Sequence, residues 1–168
     1  MIEGAQKANH KMKHIVGMLV RDEPGVLAKI AGLFSRRGFN IDTIIVGKTN
    51  LKHLSHIVIS LEAGNKIIEQ LDKQLYKLVD VVKLVDFDEQ HSVVREHCLV
   101  KVASNEKTRE DLANMCKLHK ANVLNINKEN IIAELSGTPK EINSFIEIMG
   151  KYGIKELSRT GINALQKD

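Results

Sequence analysis

The residues best placed to bind a ligand surround a tight turn at Pro24 and Gly25. Pro24 fixes its own φ angle and lacks a backbone N–H, whereas Gly25 adopts conformations that other residues resist. An apolar run ends just before this turn, and apolar residues with helical spacing begin at Val26. The N-terminus of a helix presents free N–H groups and a partial positive charge, which suit a small carboxylate. The turn therefore predicts either a carboxylate site at Gly25 and Val26 or a helix start with no ligand.

Histidine and cysteine, the other candidate ligands and nucleophiles, do not form a recognisable site. His53 and His56 are three residues apart, and on a strand this spacing directs them to opposite faces. Cys98 and Cys116 lack the spacing of zinc ligands, so we expect two buried, reduced thiols. The motifs GxSxG, GxGxxG, GxxxxGK[ST] and HExxH do not occur. The sequence therefore predicts no catalytic residues and no metal site in this chain.

Two successive sets of strands and helices position these residues. Residues 14–88 show the order strand, helix, strand, strand, helix, strand, judged by apolar periods of 2 and 3.6 residues. Residues 95–168 repeat this order of elements, and Thr138 and Glu141 form a predicted capping box before the last helix. The order βαββαβ is typical of the ferredoxin-like arrangement. We therefore predict an α+β fold of two tandem ferredoxin-like (βαββαβ) units.

Polar segments flank the first unit. Residues 1–13 carry lysines and lack the apolar core of a signal peptide, so we expect a disordered polar leader. Residues 88–94 have the sequence DEQHSVV and are predicted to be a linker. A four-stranded antiparallel sheet with helices on one face leaves strand edges that need a partner. We therefore expect a homodimer.

Composition narrows the classes of partner. The chain has 168 residues, of which 43% are hydrophobic, so it can bury a core. Its net charge of +4 is modest and partly carried by the leader, without the clustered basic face of a nucleic-acid-binding protein. No apolar run is long enough to span a membrane. We therefore expect a cytoplasmic protein that binds neither nucleic acid nor membrane.

Several segments together resemble one known family. The Pro-Gly turn followed by LAKIAGLFSRRGFNID resembles the first half of an ACT domain, a small amino-acid-sensing module. IEQLDKQLYKLVDVVKL (68–84), REHCLVKV (95–102) and GIKELSRTGINAL (153–165) follow in order. In this order they resemble the small regulatory subunit of acetolactate synthase (acetohydroxyacid synthase). The first unit would be the ACT domain, and residues 95–168 would be the C-terminal small-subunit domain.

The resemblance implies a regulatory subunit with no catalysis of its own. Such a chain would bind the large catalytic subunit of acetolactate synthase and raise its activity. It would also confer feedback by a branched-chain amino acid, first of all valine, in valine, leucine and isoleucine biosynthesis. Thiamine diphosphate, Mg²⁺ and FAD would be held by the catalytic partner, with no cofactor in this chain. The alternative is a stand-alone amino-acid-sensing ACT regulator.

The resemblance also implies which residues bind the effector, in a pocket shared by two subunits. Asn40 matches the family's ligand-contacting asparagine, and the positions at the end of the second strand line the pocket. The expected effector-binding residues are Asp22, Gly25, Val26, Asn40, Ile41, Val46 and Gly47. Many relatives have Asn where this chain has Asp22. An ionised Asp cannot donate a hydrogen bond, and it attracts an ammonium group and repels a carboxylate.

Overall fold

The computed structural model describes residues 12–88 and 90–167, and they divide into two compact units between His91 and Ser92. The first unit contains β1 (Met12–Arg21), α1 (Val26–Arg36), β2 (Thr43–Lys48), β3 (Leu54–Ala63), α2 (Asn65–Leu75) and β4 (Val81–Asp86). The second unit contains β5 (Ser92–Ala103), α3 (Arg109–Leu118), β6 (Asn122–Ile126), β7 (Asn130–Gly137), α4 (Pro139–Gly150), β8 (Ile154–Arg159) and β9 (Asn163–Gln166).

The first unit is an antiparallel sheet with the strand order β2-β3-β1-β4, packed on one face against α1 and α2. Its core forms because alternate residues of β1 and β3 meet the apolar faces of both helices. The buried core residues are Val16, Met18, Val20, Val26, Ile30, Leu33, Phe34, Ile57, Ile59, Leu61, Ala63, Ile68, Leu71 and Leu75. The strands β2 and β4 are left at the two edges of this sheet.

The second unit repeats this architecture, with the strand order β6-β7-β5-β8. Its core lies between this sheet and α3 and α4. The buried residues are Cys98, Val100, Val102, Leu112, Cys116, Ala121, Ile131, Ala133, Leu135, Ile142, Phe145 and Met149. The predicted capping box is present, since the Thr138 hydroxyl accepts from the Glu141 N–H and the Glu141 carboxylate accepts from the Thr138 N–H. The predicted α+β fold of two ferredoxin-like units is therefore confirmed.

Two predicted segments differ from the structure. Residues 1–11 of the predicted leader lie outside the described residues, but Met12 and Lys13 belong to β1, where they pair with Ala63 and Glu62. These two residues are therefore not part of a disordered leader, because the long β3 gives them backbone partners.

The predicted linker also differs, because its last three residues belong to β5. Ser92 pairs with Gln166, and the pairing continues to Arg95 and Asn163. The partner strand β9 has only four residues and was not predicted, since it has no periodic pattern long enough to detect. The predicted domain bounds, 14–88 and 95–168, stay predictions.

The sheet face of the first unit that carries no helix is partly covered by Phe87. Its N–H donates to the Ile15 carbonyl at 2.8 Å, and its ring lies over Gly17 of β1. The ring of His56 meets the Phe87 ring edge-on, with 6.4 Å between the ring centroids. A side chain at Gly17 would occupy the space that the Phe87 ring fills.

Among the helices in the described part of the chain, none has the length and apolar character needed to cross a membrane.

Candidate functional site

The start of α1 has the geometry that the Pro-Gly turn predicts. Gly25 has φ 87° and ψ −12°, a left-handed conformation, and it precedes the first helical residue with no side chain capping the helix. Its carbonyl accepts the first helical hydrogen bond, from the Lys29 N–H at 3.0 Å. The Val26 N–H makes only a long bond of 3.4 Å to the Glu23 carbonyl. The helix therefore opens with weakly satisfied N–H groups and no acidic residue in its first turn, an arrangement suited to an anion.

The turn that carries Asp22 is held in place by its backbone. The Asp22 N–H donates to the His53 carbonyl at 2.8 Å, and the neighbouring Arg21 N–H donates to the Asp80 carbonyl at 2.9 Å. Lys29 on α1 donates to the buried Asp80 carboxylate at 2.7 Å. Within residues 12–88 and 90–167, the carboxylate of Asp22 has no hydrogen-bond or ion-pair partner. The carboxylate is exposed beside the open helix N-terminus.

Sheet register places the end of β2 beside the same turn. Lys48 at the end of β2 pairs with Ser55, which pairs with Val20 just before the turn. At the opposite end of the sheet, Thr43 pairs with Ser60. The last residues of β2 therefore lie at the turn end of the sheet, and the residues that precede β2 lie at the far end.

The seven predicted effector residues consequently fall into two groups. We call the first the turn group; it comprises Asp22, Gly25, Val26, Val46 and Gly47. We call the second the entry group; it comprises Asn40 and Ile41, between α1 and β2. The eleven residues of α1 separate Gly25 from the entry group, a length of about 16 Å. One chain therefore does not bring all seven residues into a single pocket.

Asn40 and Ile41 line an open depression of about 420 Å³ at the far end of α1. Phe34 and Phe39 form its apolar part, with their rings edge-on at a centroid separation of 6.5 Å. Gly38, with φ 70°, lets the chain leave the helix at this point. The side chain of Asn40 is exposed at the rim and offers both a donor and an acceptor.

The edge strand β2 carries exposed apolar side chains on the face that the helices cover elsewhere. Ile44 pairs with the buried Ile59, and Val46 pairs with the buried Ile57, yet Ile44 is 38% exposed and Val46 is 47% exposed. Neither α1 nor α2 extends over this edge. The result is an apolar strip beside an edge with free backbone groups, which suits pairing with another strand.

The two cysteines lie in the core as the sequence predicts, whereas His53 lies before β3 and not on the strand with His56. His53 lies in a turn with φ 62°, whereas His56 is on β3 against Phe87, and burial lowers the pKa of His56. Both cysteines are free and buried, and burial raises the pKa of both the Cys98 and Cys116 thiols. No cluster of His, Cys, Asp or Glu in the described residues is arranged to hold a metal ion.

The structure also gives a role to two motifs whose function the sequence left open. Glu96 in REHCLVKV is 4% exposed, and its carboxylate accepts two hydrogen bonds from Arg159 in the SRTG segment. Thr160 exchanges backbone hydrogen bonds with His97 through its N–H and its hydroxyl. Gly161, with φ 84°, then turns the chain into β9. The hydrogen bonds of these residues hold the connection between β8 and β9 against β5.

Two ferredoxin-like units, the first of which starts its first helix on a glycine turn without a side-chain cap, match the architecture of ACT-type regulatory proteins. Comparison with known families agrees. Residues 16–83 match the AHAS small subunit-like ACT domain, and residues 95–168 match the family described as small subunit of acetolactate synthase. The chain belongs to the acetolactate synthase small-subunit family.

Individual relatives match over nearly their whole length. The probable acetolactate synthase small subunit of Archaeoglobus fulgidus is 41% identical over 150 residues, which cover 89% of this chain and 94% of the relative. The acetolactate synthase small subunit of Mycolicibacterium smegmatis is 36% identical over 160 residues, covering 95% and 94%. The crystal structure of the small subunit from Thermotoga maritima superposes with a TM-score of 0.86 at 37% identity, covering 94% of this chain and 98% of that one.

Proposed function

We propose that this chain is the regulatory subunit of an acetolactate synthase: it binds and activates the large catalytic subunit and transmits feedback by a branched-chain amino acid, valine first. The observation that carries the proposal is the start of α1 at Gly25, left-handed and without a side-chain cap. A free helix N-terminus is a preformed site for the carboxylate of an amino acid. The names of the relatives support the partner, since each is a small subunit of acetolactate synthase.

The effector site is completed by a second copy of the chain. If β2 pairs with the β2 of a second copy about a two-fold axis, the two strands run antiparallel. The start of one β2 then lies near the end of the other, so the entry group of one chain approaches the turn group of its partner. The exposed apolar strip at Ile44 and Val46 supports this pairing, because it would be buried in the dimer.

Each part of an amino-acid ligand then has a complementary group. The ligand carboxylate accepts hydrogen bonds from the N–H groups at the start of α1, next to Gly25. Asn40, with a donor and an acceptor, serves the polar groups of the ligand from the other chain. The aliphatic side chains of Val26, Ile41 and Val46 suit the branched apolar side chain of valine, leucine or isoleucine.

Catalysis belongs to the partner in this proposal. Thiamine diphosphate, Mg²⁺ and FAD are expected in the large subunit, which condenses pyruvate. Effector binding at the dimer interface acts by favouring one of two states of the complex, and couplings of this kind are typically about 1–3 kcal/mol. The cytoplasm is the expected compartment, since buried free thiols persist where glutathione keeps cysteine reduced.

The test is reconstitution of the chain with the large subunit from the same organism, assayed for acetolactate formation from pyruvate with increasing valine. We expect the wild-type chain to stimulate the large subunit and valine to reverse part of that gain. Asn40→Ala should keep the stimulation and lose the response to valine. Asn143→Ala, an exposed asparagine on α4, is the matched control and should respond like the wild type.

Two outcomes would contradict the proposal at different levels. Full valine sensitivity in Asn40→Ala would show that the effector site is misplaced while leaving the partner intact. No stimulation of the large subunit would remove the regulatory-subunit function and favour the stand-alone amino-acid sensor. Titration calorimetry with valine, leucine and isoleucine would then identify which amino acid the isolated chain binds.

A further inference from the structure

A second concave site lies on the helical face of the first unit; it shares Phe39 with the depression at Asn40 and Ile41 but is lined by no residue of the turn or entry groups. It is a groove of about 290 Å³ between α1 and α2. Its floor is apolar, formed by Leu33, Phe39 and Leu71, of which Leu71 is 1% exposed. This volume is at the lower end of small-molecule pockets, which are about 300–1,000 Å³. The groove therefore suits a small molecule.

The walls of this groove are cationic and carry no carboxylate. Arg37 comes from the end of α1, and Lys73 and Lys77 come from the end of α2 and the residues that follow it. Among the described residues that line the groove, none is Asp or Glu, and none of the three cations takes part in an ion pair. Lys29, by contrast, is on the same helix as the groove residue Leu33 and is paired with Asp80 at 2.7 Å.

Two amide side chains complete the wall on the α2 side. Gln70 and Gln74 are four residues apart, so they share a helix face with Lys73 and Lys77. Each amide supplies two N–H donors beside the ammonium groups. Three exposed cations and two amides thus line the same groove above an apolar floor, so an anion bound there contacts several donors at once.

We propose that this groove binds a small organic anion carrying two or more negative charges, either a phosphorylated molecule or a polycarboxylate. The negatively charged oxygens of the ligand would bind the ammonium and guanidinium groups, and its apolar part would pack on Leu33 and Leu71. A protein partner is the less suitable occupant, because stable protein interfaces bury at least about 1,200 Å² in total, far beyond a groove of eight residues.

The test uses the full chain and two defined probes, tripolyphosphate and citrate, titrated by calorimetry. The ionic strength is fixed at about 0.1 M, where the Debye length is about 10 Å. We expect at least one probe to bind with one site per chain. Lys73→Gln/Lys77→Gln should weaken binding by about tenfold or more, since it removes two charge-assisted contacts. Binding of tripolyphosphate alone identifies a phosphorylated ligand, and binding of citrate alone identifies a polycarboxylate.

The matched control is Lys66→Gln/Lys83→Gln, which removes the same charge from exposed positions of α2 and β4 outside the groove. It should bind the probes within about twofold of the wild type, since distant exposed charges are screened. Circular dichroism checks folding, and Gln preserves the helix because its propensity is close to that of Lys. Arg37→Gln provides a second variant, on the other helix, in case the double variant is unstable.

The proposal is overturned by any of three results. The first is that neither probe binds the wild-type chain. The second is that both double variants weaken binding equally, which would mean a response to net charge alone. The third is that Lys73→Gln/Lys77→Gln binds both probes normally but captures less of the large catalytic subunit, which would make the groove a protein-docking surface.

Discussion

Arg159 on β8 holds the buried carboxylate of Glu96 on β5 through two hydrogen bonds, from Nε at 2.6 Å and from Nη2 at 2.8 Å. The Glu96 side chain is 3% exposed, whereas that of Arg159 is 35% exposed. The carboxylate raises the pKa of the Arg159 guanidinium, chiefly through these hydrogen bonds. This geometry removes a charge from water and satisfies both of its oxygens with one side chain.

Replacing Arg159 with Met should therefore destabilise the second unit strongly. The substitution leaves the Glu96 charge buried without a partner, which typically costs about 3 kcal/mol. Urea unfolding monitored by circular dichroism measures the loss. Lys101→Met is the matched control, since it breaks the more exposed ion pair to Glu156 across the same two strands. It should cost less than about 1 kcal/mol.

Equal losses in the two variants would contradict a special role for Arg159. A further check is the double variant Glu96→Leu/Arg159→Met, because replacing both partners of a buried pair by apolar groups often restores stability. We expect it to be more stable than Arg159→Met alone.

The Gly17–Phe87 contact predicts a second stability effect. An added methyl group at Gly17 would overlap the Phe87 ring, whose Cζ lies only 2.8 Å from the methyl position. Gly17→Ala should therefore cost about 1–3 kcal/mol, the usual range for overpacking. In Gly32→Ala, on α1, the methyl meets only the flexible end of Arg36 at 3.4 Å. That control should be stabilising by about 0.5–1 kcal/mol, because Ala favours the helix.

The two substitutions at Gly17 and Phe87 should also be coupled. Phe87→Leu shortens the overlapping side chain, so the loss from Gly17→Ala should be smaller in the Phe87→Leu background than in the wild type. A double-mutant cycle from melting curves measures this coupling. Additive losses would mean that the methyl group is accommodated in another way.

The parts of this fold that sequence reasoning predicts are those set by local signals. The glycine turn at Gly25 and the capping box at Thr138 lie within a few residues of the helices they start, so they were predicted at the correct positions. The ion pair between Glu96 and Arg159 spans 63 residues and was not predicted, because no local pattern links the two positions. The start of β1 at Met12 was missed for the same reason, since its pairing depends on Ala63.

The candidate site was predicted as a set of residues but not as a geometry. The Pro-Gly turn indicated Gly25 and Val26, and the resemblance supplied the other five positions. Their arrangement as two groups at opposite ends of α1 came only from the structure. The groove beside Lys73 was not predicted either. Its residues come from two helices, and the apolar period of each helix does not specify how the two pack against each other.

Two aspartates of the first unit with raised pKa values, Asp72 and Asp86, predict a pH dependence of stability. Burial raises the pKa of Asp72, and the negative charge of Asp86 raises it further, while His14 lowers it. Burial also raises the pKa of Asp86. The charge of His14 lowers this pKa, and the negative charge of Asp88 raises it by a smaller amount. Among described residues, one Asp72 oxygen is buried without a hydrogen-bond partner. An acid with a raised folded-state pKa favours folding below its unfolded pKa, and this contribution is lost as the pH rises through the folded value.

The first unit should therefore lose stability as the pH rises above 3.8, the ordinary pKa of these carboxyls. Asp72→Asn should reduce this loss and raise the melting temperature at neutral pH. Asp88 is a control of opposite sign, because hydrogen bonds from the His91 and Gln90 N–H groups and the His91 ring lower its pKa. Its contribution is lost as the pH falls, so Asp88→Asn should not raise the neutral-pH melting temperature. An unchanged pH profile in Asp72→Asn would rule out this origin.

The exposed carboxylate of Asp22 predicts the strength of the effector response, on the basis of the proposed function. Asp22 lies in the same turn as Gly25, where the ligand carboxylate would bind, so the two carboxylates repel each other. Asp22→Asn should therefore lower the valine concentration for half-inhibition by about fivefold, equivalent to about 1 kcal/mol for one charge pair in water. Glu23→Gln, the adjacent residue with the same charge change, should shift it much less. If Asp22→Asn instead weakens the valine response while Glu23→Gln does not, the Asp22 carboxylate binds the ligand's ammonium group.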